Sequence, residues 1–179
     1  MKLLTVFAFV PIACITATAN AKFSDKLLKP IPKKNFRTIE VDTTGTITYL
    51  MDGEGVGDIF TWTSGKIFQT ADAADIETKG GDILIAESEG HCIRLSNLGP
   101  ASDWNCFYTF YFKGGSLMAQ GPFNAMSKTK LAVTGGTGAY RGVGGQIAVF
   151  SGPMVDENGK VDENGPYFTY HNDFRLLGL

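Results

Sequence analysis

The stretch from Lys130 to Val149, KLAVTGGTGAYRGVGGQIAV, constrains the fold more than any other part of the chain. An apolar run leads into TGGTGxxxG, the order of strand and glycine turn used by a dinucleotide-binding βαβ unit. Such a unit needs a helix directly after the glycines, because the helix N-terminus holds the pyrophosphate. Here the glycines are followed by Arg141-Gly142-Val143-Gly144-Gly145-Gln146-Ile147, and each glycine costs a helix about 1 kcal/mol relative to alanine. The motif also starts near residue 134 of 179, which leaves no room for further βαβ units. Binding of NAD or NADP is therefore not expected. The glycines must serve turns, bulges and close approach between strands.

The rest of the chain from Phe36 onward has the texture of an all-β protein. Short runs rich in Thr, Ile, Val, Phe and Tyr alternate with glycine punctuation. Strands are expected at Arg37–Asp42, Thr46–Met51, Asp58–Trp62 with Lys66–Thr70, Asp82–Glu87, Cys92–Asn97, Trp104–Phe112 and Ser116–Gly121. They continue with Lys130–Thr134, Gln146–Phe150 and Tyr167–Leu176. No apolar stripe of helical period appears in this region. The 22 glycines fit a sheet that bends until it closes.

One hairpin can be placed by arithmetic. Leu98-Gly99-Pro100-Ala101-Ser102 reads as a turn, and folding about its middle sets Cys92 opposite Cys106 and Arg94 opposite Trp104. Opposed cysteines at a non-hydrogen-bonded pair can form a disulfide, and the second pair suits a cation–π contact.

At the N-terminus, Lys2 precedes an apolar run to about Ile15, followed by Thr16-Ala17-Thr18-Ala19-Asn20-Ala21. This is the pattern of a secretory signal peptide, residues 1–21, with cleavage after either Ala19 or Ala21. The run is too short to span a membrane, which needs roughly 20 apolar residues. Removing it also removes Cys14, leaving the even pair Cys92 and Cys106 for an oxidising compartment. Residues 22–35, with Lys22, Lys26, Lys29, Lys33 and Lys34 around Pro30 and Pro32, read as a basic, solvated linker, and 36–179 as a single domain. A net charge of -2 gives no electrostatic case for nucleic acid. The two histidines, His91 and His171, are too few and too separated for a metal site. The repeated D-E-N-G of residues 156–165 lacks EF-hand spacing and reads as an acidic hairpin loop.

Several segments in order resemble the allene oxide cyclase barrel-like family, which joins plant allene oxide cyclases with dirigent proteins. LAVTGGTGAYRGVGGQIAV is similar to its glycine-rich strand pair. Gly57-Asp58 followed by Lys66-Ile67-Phe68, then Gly90-His91-Cys92-Ile93, Phe107-Tyr108-Thr109-Phe110-Tyr111-Phe112 and Met118-Ala119-Gln120-Gly121-Pro122-Phe123 resemble further family segments. The match runs from about Glu40 to Phe174. It implies an all-β fold, an eight-stranded antiparallel closed β-barrel of calycin-like type, with a central cavity, and often a homotrimer.

The resemblance also implies site residues. In the cyclases an inward Glu, and an Asn two residues later on the first strand, act inside the cavity. Glu40-Val41-Asp42 matches that stretch, with Asp42 in place of Asn. Period-two geometry puts both carboxylates on one face. If that face is inward, each raises the other's pKa and the pair can do acid–base work; otherwise they sit in solvent at a strand end. Arg141 falls where dirigent proteins carry an arginine, and is expected to pair with Asp42, either to hold a ligand's polar end or as a structural salt bridge. The cyclases' second Asn falls on Ser64 or Gly65. Asp58, Tyr108 and Phe110 are expected at the ligand, with backbone capping the other reading of Asp58. No cofactor or metal is implied. Two functions follow: a secreted, cofactor-free isomerase or cyclase acting on a small apolar, oxidised-lipid or phenolic-type molecule, or a non-catalytic extracellular binding protein on the same barrel.

Overall fold

A computed structural model describes residues 28–42, 45–48, 55–70, 83–156, 161–164 and 168–179. The expected signal peptide, the cleavage sites and the first part of the linker lie outside the described residues, as does the centre of the D-E-N-G loop. Nine strands are described: β1 (Asn35–Asp42), β2 (Gly45–Thr48), β3 (Ile59–Thr70), β4 (Ile83–Arg94), β5 (Trp104–Phe112), β6 (Gly115–Phe123), β7 (Thr129–Gly136), β8 (Gly144–Ser151) and β9 (Phe168–Leu177). No helix among the described residues is long and apolar enough to cross a membrane.

All pairings are antiparallel, in the order β1-β9-β8-β7-β6-β5-β4-β3, and β3 returns to pair with β1. An eight-stranded barrel is thereby closed, as expected. β2 pairs with the first half of β3 and β1 with the second half, so β1 and β2 share one place in the ring. Closure removes the free edges that an open sheet would expose.

Inward residues follow the two-residue period. On β5 they are Trp104, Cys106, Tyr108, Phe110 and Phe112, opposite Arg94, Cys92, Gly90, Ser88 and Ala86 of β4. The hairpin register is the one expected. Cys92 and Cys106 form a disulfide with Cα atoms 4.0 Å apart, and the Arg94 guanidinium lies 4.7 Å from the centre of the Trp104 ring.

β3 and β4 correct the sequence reading, which split each of them in two. A bulge between Trp62 and Gly65 lets β3 bend without ending. Glu89-Gly90-His91 reads as a break, yet β4 runs straight through it. Gly90 is there for packing: a Cβ at this position would stand 2.6 Å from the Trp62 ring and collide with the Phe107 carbonyl.

The end of the barrel near Phe36 is plugged. Phe36 stacks on Phe174 at 4.4 Å, Phe112 packs edge-on against both, and Tyr140 packs edge-on against Phe112. The glycine motif builds this plug. Gly138 has φ +58, and a Cβ there would strike the Gly114 carbonyl, which accepts the Ala139 N–H at 2.9 Å. The Tyr140 hydroxyl donates to the Lys113 carbonyl at 2.7 Å and accepts the Ile31 N–H at 3.1 Å. From Leu28 onward the supposed solvated linker is therefore docked. Leu28 is buried, Lys29 bonds to Ile85 and Lys113, and the Lys34 carbonyl accepts the Leu176 N–H. Its prolines and lysines resemble a linker in composition, but its backbone groups have partners on the barrel.

Candidate functional site

The polar groups of the interior gather beyond the plug. Glu40 is 1% exposed although it is a carboxylate. Ser88 Oγ donates to its Oε1, and Asn172 Nδ2 donates to its Oε2 at 3.1 Å. Trp62 Nε1 in turn donates to Ser88 Oγ at 3.3 Å. The chain Trp62–Ser88–Glu40–Asn172 thus ties together the neighbouring strands β4, β3, β1 and β9 along one side of the inner wall. Burial pushes the Glu40 carboxyl from 4.5 up to about 7, against the opposing pull of the Ser88 and Asn172 hydrogen bonds, with the Asp42 charge adding to the rise. Near neutral pH, Glu40 therefore populates both protonation states, the condition under which a carboxyl both takes and returns a proton.

Gly65 makes this arrangement sterically possible. A Cβ at residue 65 would stand 2.7 Å from Glu40 Oε1 and collide with Ser88 Oγ. Where the cyclases' second Asn was expected, on Ser64 or Gly65, the chain leaves room for the Glu40–Ser88 pair instead.

Asp42 lies one inward position further along β1 and is 4% exposed. Tyr108 and Tyr170 face the same space. Burial raises both phenols above their ordinary pKa, with Glu40 and Asp42 adding to the effect, so both stay protonated and able to donate. Aromatic rings continue toward this end: Trp62 lies 4.5 Å from Tyr108 and 5.7 Å from Phe60, and Phe123 lies 5.8 Å from Tyr170. Phe60, Trp104, Phe123 and Tyr170 are only partly buried, whereas the plug at the other end is closed. At this end of the interior, hydrogen-bond donors and acceptors are thus framed by aromatic rings.

The structure brings some expected residues together and separates others. Glu40, Asp42 and Tyr108 share the interior, so the reading of the two carboxylates in solvent is set aside. Phe110 is fully buried, stacked on Tyr108 and edge-on to Phe174, and presents no exposed face. Asp58 is buried at the start of β3. Its Oδ2 accepts the Gly55 N–H at 2.7 Å and lies 3.9 Å from Arg94 Nε, so the capping role expected of it is realised. Arg141 is exposed and just precedes Gly144, which pairs with Leu177 at the end of β9; Asp42 pairs with Phe168 at its start. The expected Arg141–Asp42 pair is not formed, because the two residues lie at opposite ends of the barrel. The buried cation on the Asp42 side is Arg94.

Ser88, Asn172 and Trp62 were missed by the sequence reading. Ser88 was within reach of it: Ala86, Ser88, Gly90, Cys92 and Arg94 share a face once β4 is read as one strand. Asn172 stands 132 residues from Glu40 along the chain, and no local pattern announces it.

Among the described residues, no group of His, Cys, Asp and Glu is arranged to hold a metal ion. No protein-family model matches the chain, and no curated protein matches it in sequence. Solved structures do match in fold. Two pterocarpan synthase dirigent proteins align with TM-scores of 0.58 and 0.57 at 16% and 18% identity; the alignments cover 79% and 80% of this chain and 82% and 93% of theirs. A pyocyanin demethylase aligns with a TM-score of 0.52 at 18% identity, over 78% of this chain and 98% of its own. At these identities the likeness is one of fold: the chain has the eight-stranded barrel found in dirigent proteins.

Proposed function

We propose that the protein binds a small, planar, oxygen-bearing molecule at the Asp42 end of the barrel and moves a proton on it, as a cofactor-free isomerase or cyclase. The observation that carries this reading is Glu40, a carboxyl buried among aromatic rings and poised near pH 7 between two fixed donors. Ionised Glu40 takes a proton from the ligand and, once neutral, returns it at another atom, so atoms balance without an external reagent. Tyr108 and Tyr170 supply neutral donors for negative charge that develops on a ligand oxygen. The fold is shared with barrels whose names record the synthesis of pterocarpans and the demethylation of pyocyanin, which supports a flat, oxygenated ligand class. The leader-like N-terminus and the Cys92–Cys106 disulfide support export to an oxidising compartment.

A second reading has its own observation. Both Glu40 oxygens are already engaged by Ser88 and Asn172, as in a carboxylate kept for structure inside a passive carrier. The two readings separate in one experiment. Small molecules retained by protein purified from its source are identified by mass spectrometry, then incubated with the parent and with Glu40→Gln. The isomerase reading expects product from the parent only, with the Gln variant still binding. Binding by both with product from neither establishes the carrier.

A further inference from the structure

The outward surface of β7, β8, β9 and β1 carries a concentration of positive charge that the interior site does not use. Arg37, Lys128, Lys130 and Arg175 are all exposed there. Asp173 is the one acid among the outward residues of these four strands, and it is already engaged by Arg175 at 3.6 Å. The whole chain has a net charge of -2, so this face departs from the average in sign. Register explains the clustering. Lys130 pairs with Ala148, Ala148 with Asp173, and Asp173 with Arg37, in one row running across the strands.

Two adjoining concavities mark the same surface. One, of about 210 Å³, is bounded by Arg37, Lys128, Phe150, His171 and Asp173; the other, of about 110 Å³, by Lys128, Lys130, Gln146, Asp173 and Arg175. Lys128 and Asp173 belong to both. Three interstrand steps of about 4.8 Å separate β7 from β1, so the cations extend over roughly 14 Å. That is too wide for one oxyanion and suits an extended chain with several.

We infer that this face binds an acidic polysaccharide, whose successive sulfate or carboxylate groups occupy the two concavities. Nucleic acid is disfavoured by the one aromatic at the site. Phe150 is stacked on His171 at 4.6 Å and approached by the Lys128 ammonium at 5.3 Å, so its faces are taken and no base can stack on it. Small side chains such as Ala148 keep the row shallow, which lets a sugar chain lie across the sheet. The inference is independent of the interior chemistry, because Glu40 and these cations lie on opposite sides of the barrel wall.

The test titrates the folded protein with a heparin hexasaccharide and with an oligogalacturonate of similar length, which distinguish sulfate from carboxylate, and with single-stranded DNA of matched charge. Binding of at least one sugar at low salt is expected. Lys128→Glu with Arg175→Glu should weaken it by at least about tenfold, while Lys113→Glu, at the opposite side of the fold, leaves it unchanged. Failure of both sugars to bind overturns the inference, as does binding equally weakened by Lys113→Glu. DNA binding tighter than either sugar reassigns the face to nucleic acid. Self-association abolished by the double variant assigns it to a second copy of the chain. Thermal melts of the variants confirm folding, and the three side chains, Lys113, Lys128 and Arg175, are all exposed.

Discussion

Gly65 sits beside Glu40 on the neighbouring strand, so closely that a methyl group at residue 65 would stand 2.7 Å from the Glu40 carboxylate and overlap the Ser88 hydroxyl. The pair shows that the site is built by steric allowance as much as by hydrogen bonds. Gly65→Ala should force Ser88 aside. An overpacking cost of about 1–3 kcal/mol is expected in chemical denaturation. With the Ser88 donor displaced, Glu40 should also titrate higher than in the parent, measured by carboxyl NMR.

Glu40 makes stability depend on pH in a stated direction. Its pKa rises from 4.5 to about 7 on folding, so the folded chain holds a proton that the unfolded chain gives up. The contribution is full below about pH 4.5 and is lost as pH climbs through 7. The shift corresponds to on the order of 3 kcal/mol. Glu40→Gln should remove this component. The difference in unfolding free energy between parent and variant, measured in urea at pH 5 and pH 8, should move in the variant's favour at the higher pH. The amide is accommodated because Asn172 Oδ1 has no hydrogen-bond partner, so that side chain can turn over and accept from it. Equal pH dependence in both proteins would show that Glu40 ionises as freely when folded as when unfolded.

What the sequence disclosed and what it hid divide along a physical line. The β4–β5 hairpin was readable to the residue because its register depends on one short turn and a period of two, both local. The all-β class was readable from glycine punctuation and short β-rich runs, and the closed eight-stranded barrel from the family resemblance. The partners of Glu40 were not, since Ser88 and Asn172 come from strands 48 and 132 residues away and meet it only through closure of the sheet. Gly90 misled because glycine marks either a turn or a close contact, and only the Trp62 ring beside it decides which. Arg141 misled for a similar reason: a motif fixes neighbours in sequence but does not say toward which end of the barrel they point.

The disulfide should stabilise the hairpin that forms the wall of the site. Cys92 and Cys106 are separated by 14 residues, a loop for which cross-linking contributes about 3 kcal/mol. Both sulfurs are buried, so Cys92→Ala with Cys106→Ala should lower unfolding free energy by about that amount, with the cavity adding to the cost. Urea melts of the parent and the double variant provide the measurement. A difference below about 1 kcal/mol would mean that the closed barrel already holds β4 on β5 without the bond.

The two arginines, Arg141 and Arg94, should differ sharply in what they contribute. Arg141 is exposed at the plugged end, away from both interior carboxylates, so Arg141→Ala should change stability by less than about 0.5 kcal/mol and leave ligand binding intact. Arg94 is 4% exposed, lies over Trp104 and has its Nε 3.9 Å from the carboxylate of Asp58, itself 1% exposed. Arg94→Met keeps much of the side-chain volume but leaves the Asp58 charge buried without this cation, a change that costs about 3–5 kcal/mol when a buried pair is broken. Removing the acid as well, in Arg94→Met with Asp58→Asn, should recover a large part of that loss, because the uncompensated charge is gone. A double-mutant cycle by urea denaturation measures the coupling directly. Additive effects would show that Arg94 acts only through its packing on Trp104, whereas a destabilising Arg141→Ala would show that its exposed side chain helps to hold the plugged end together.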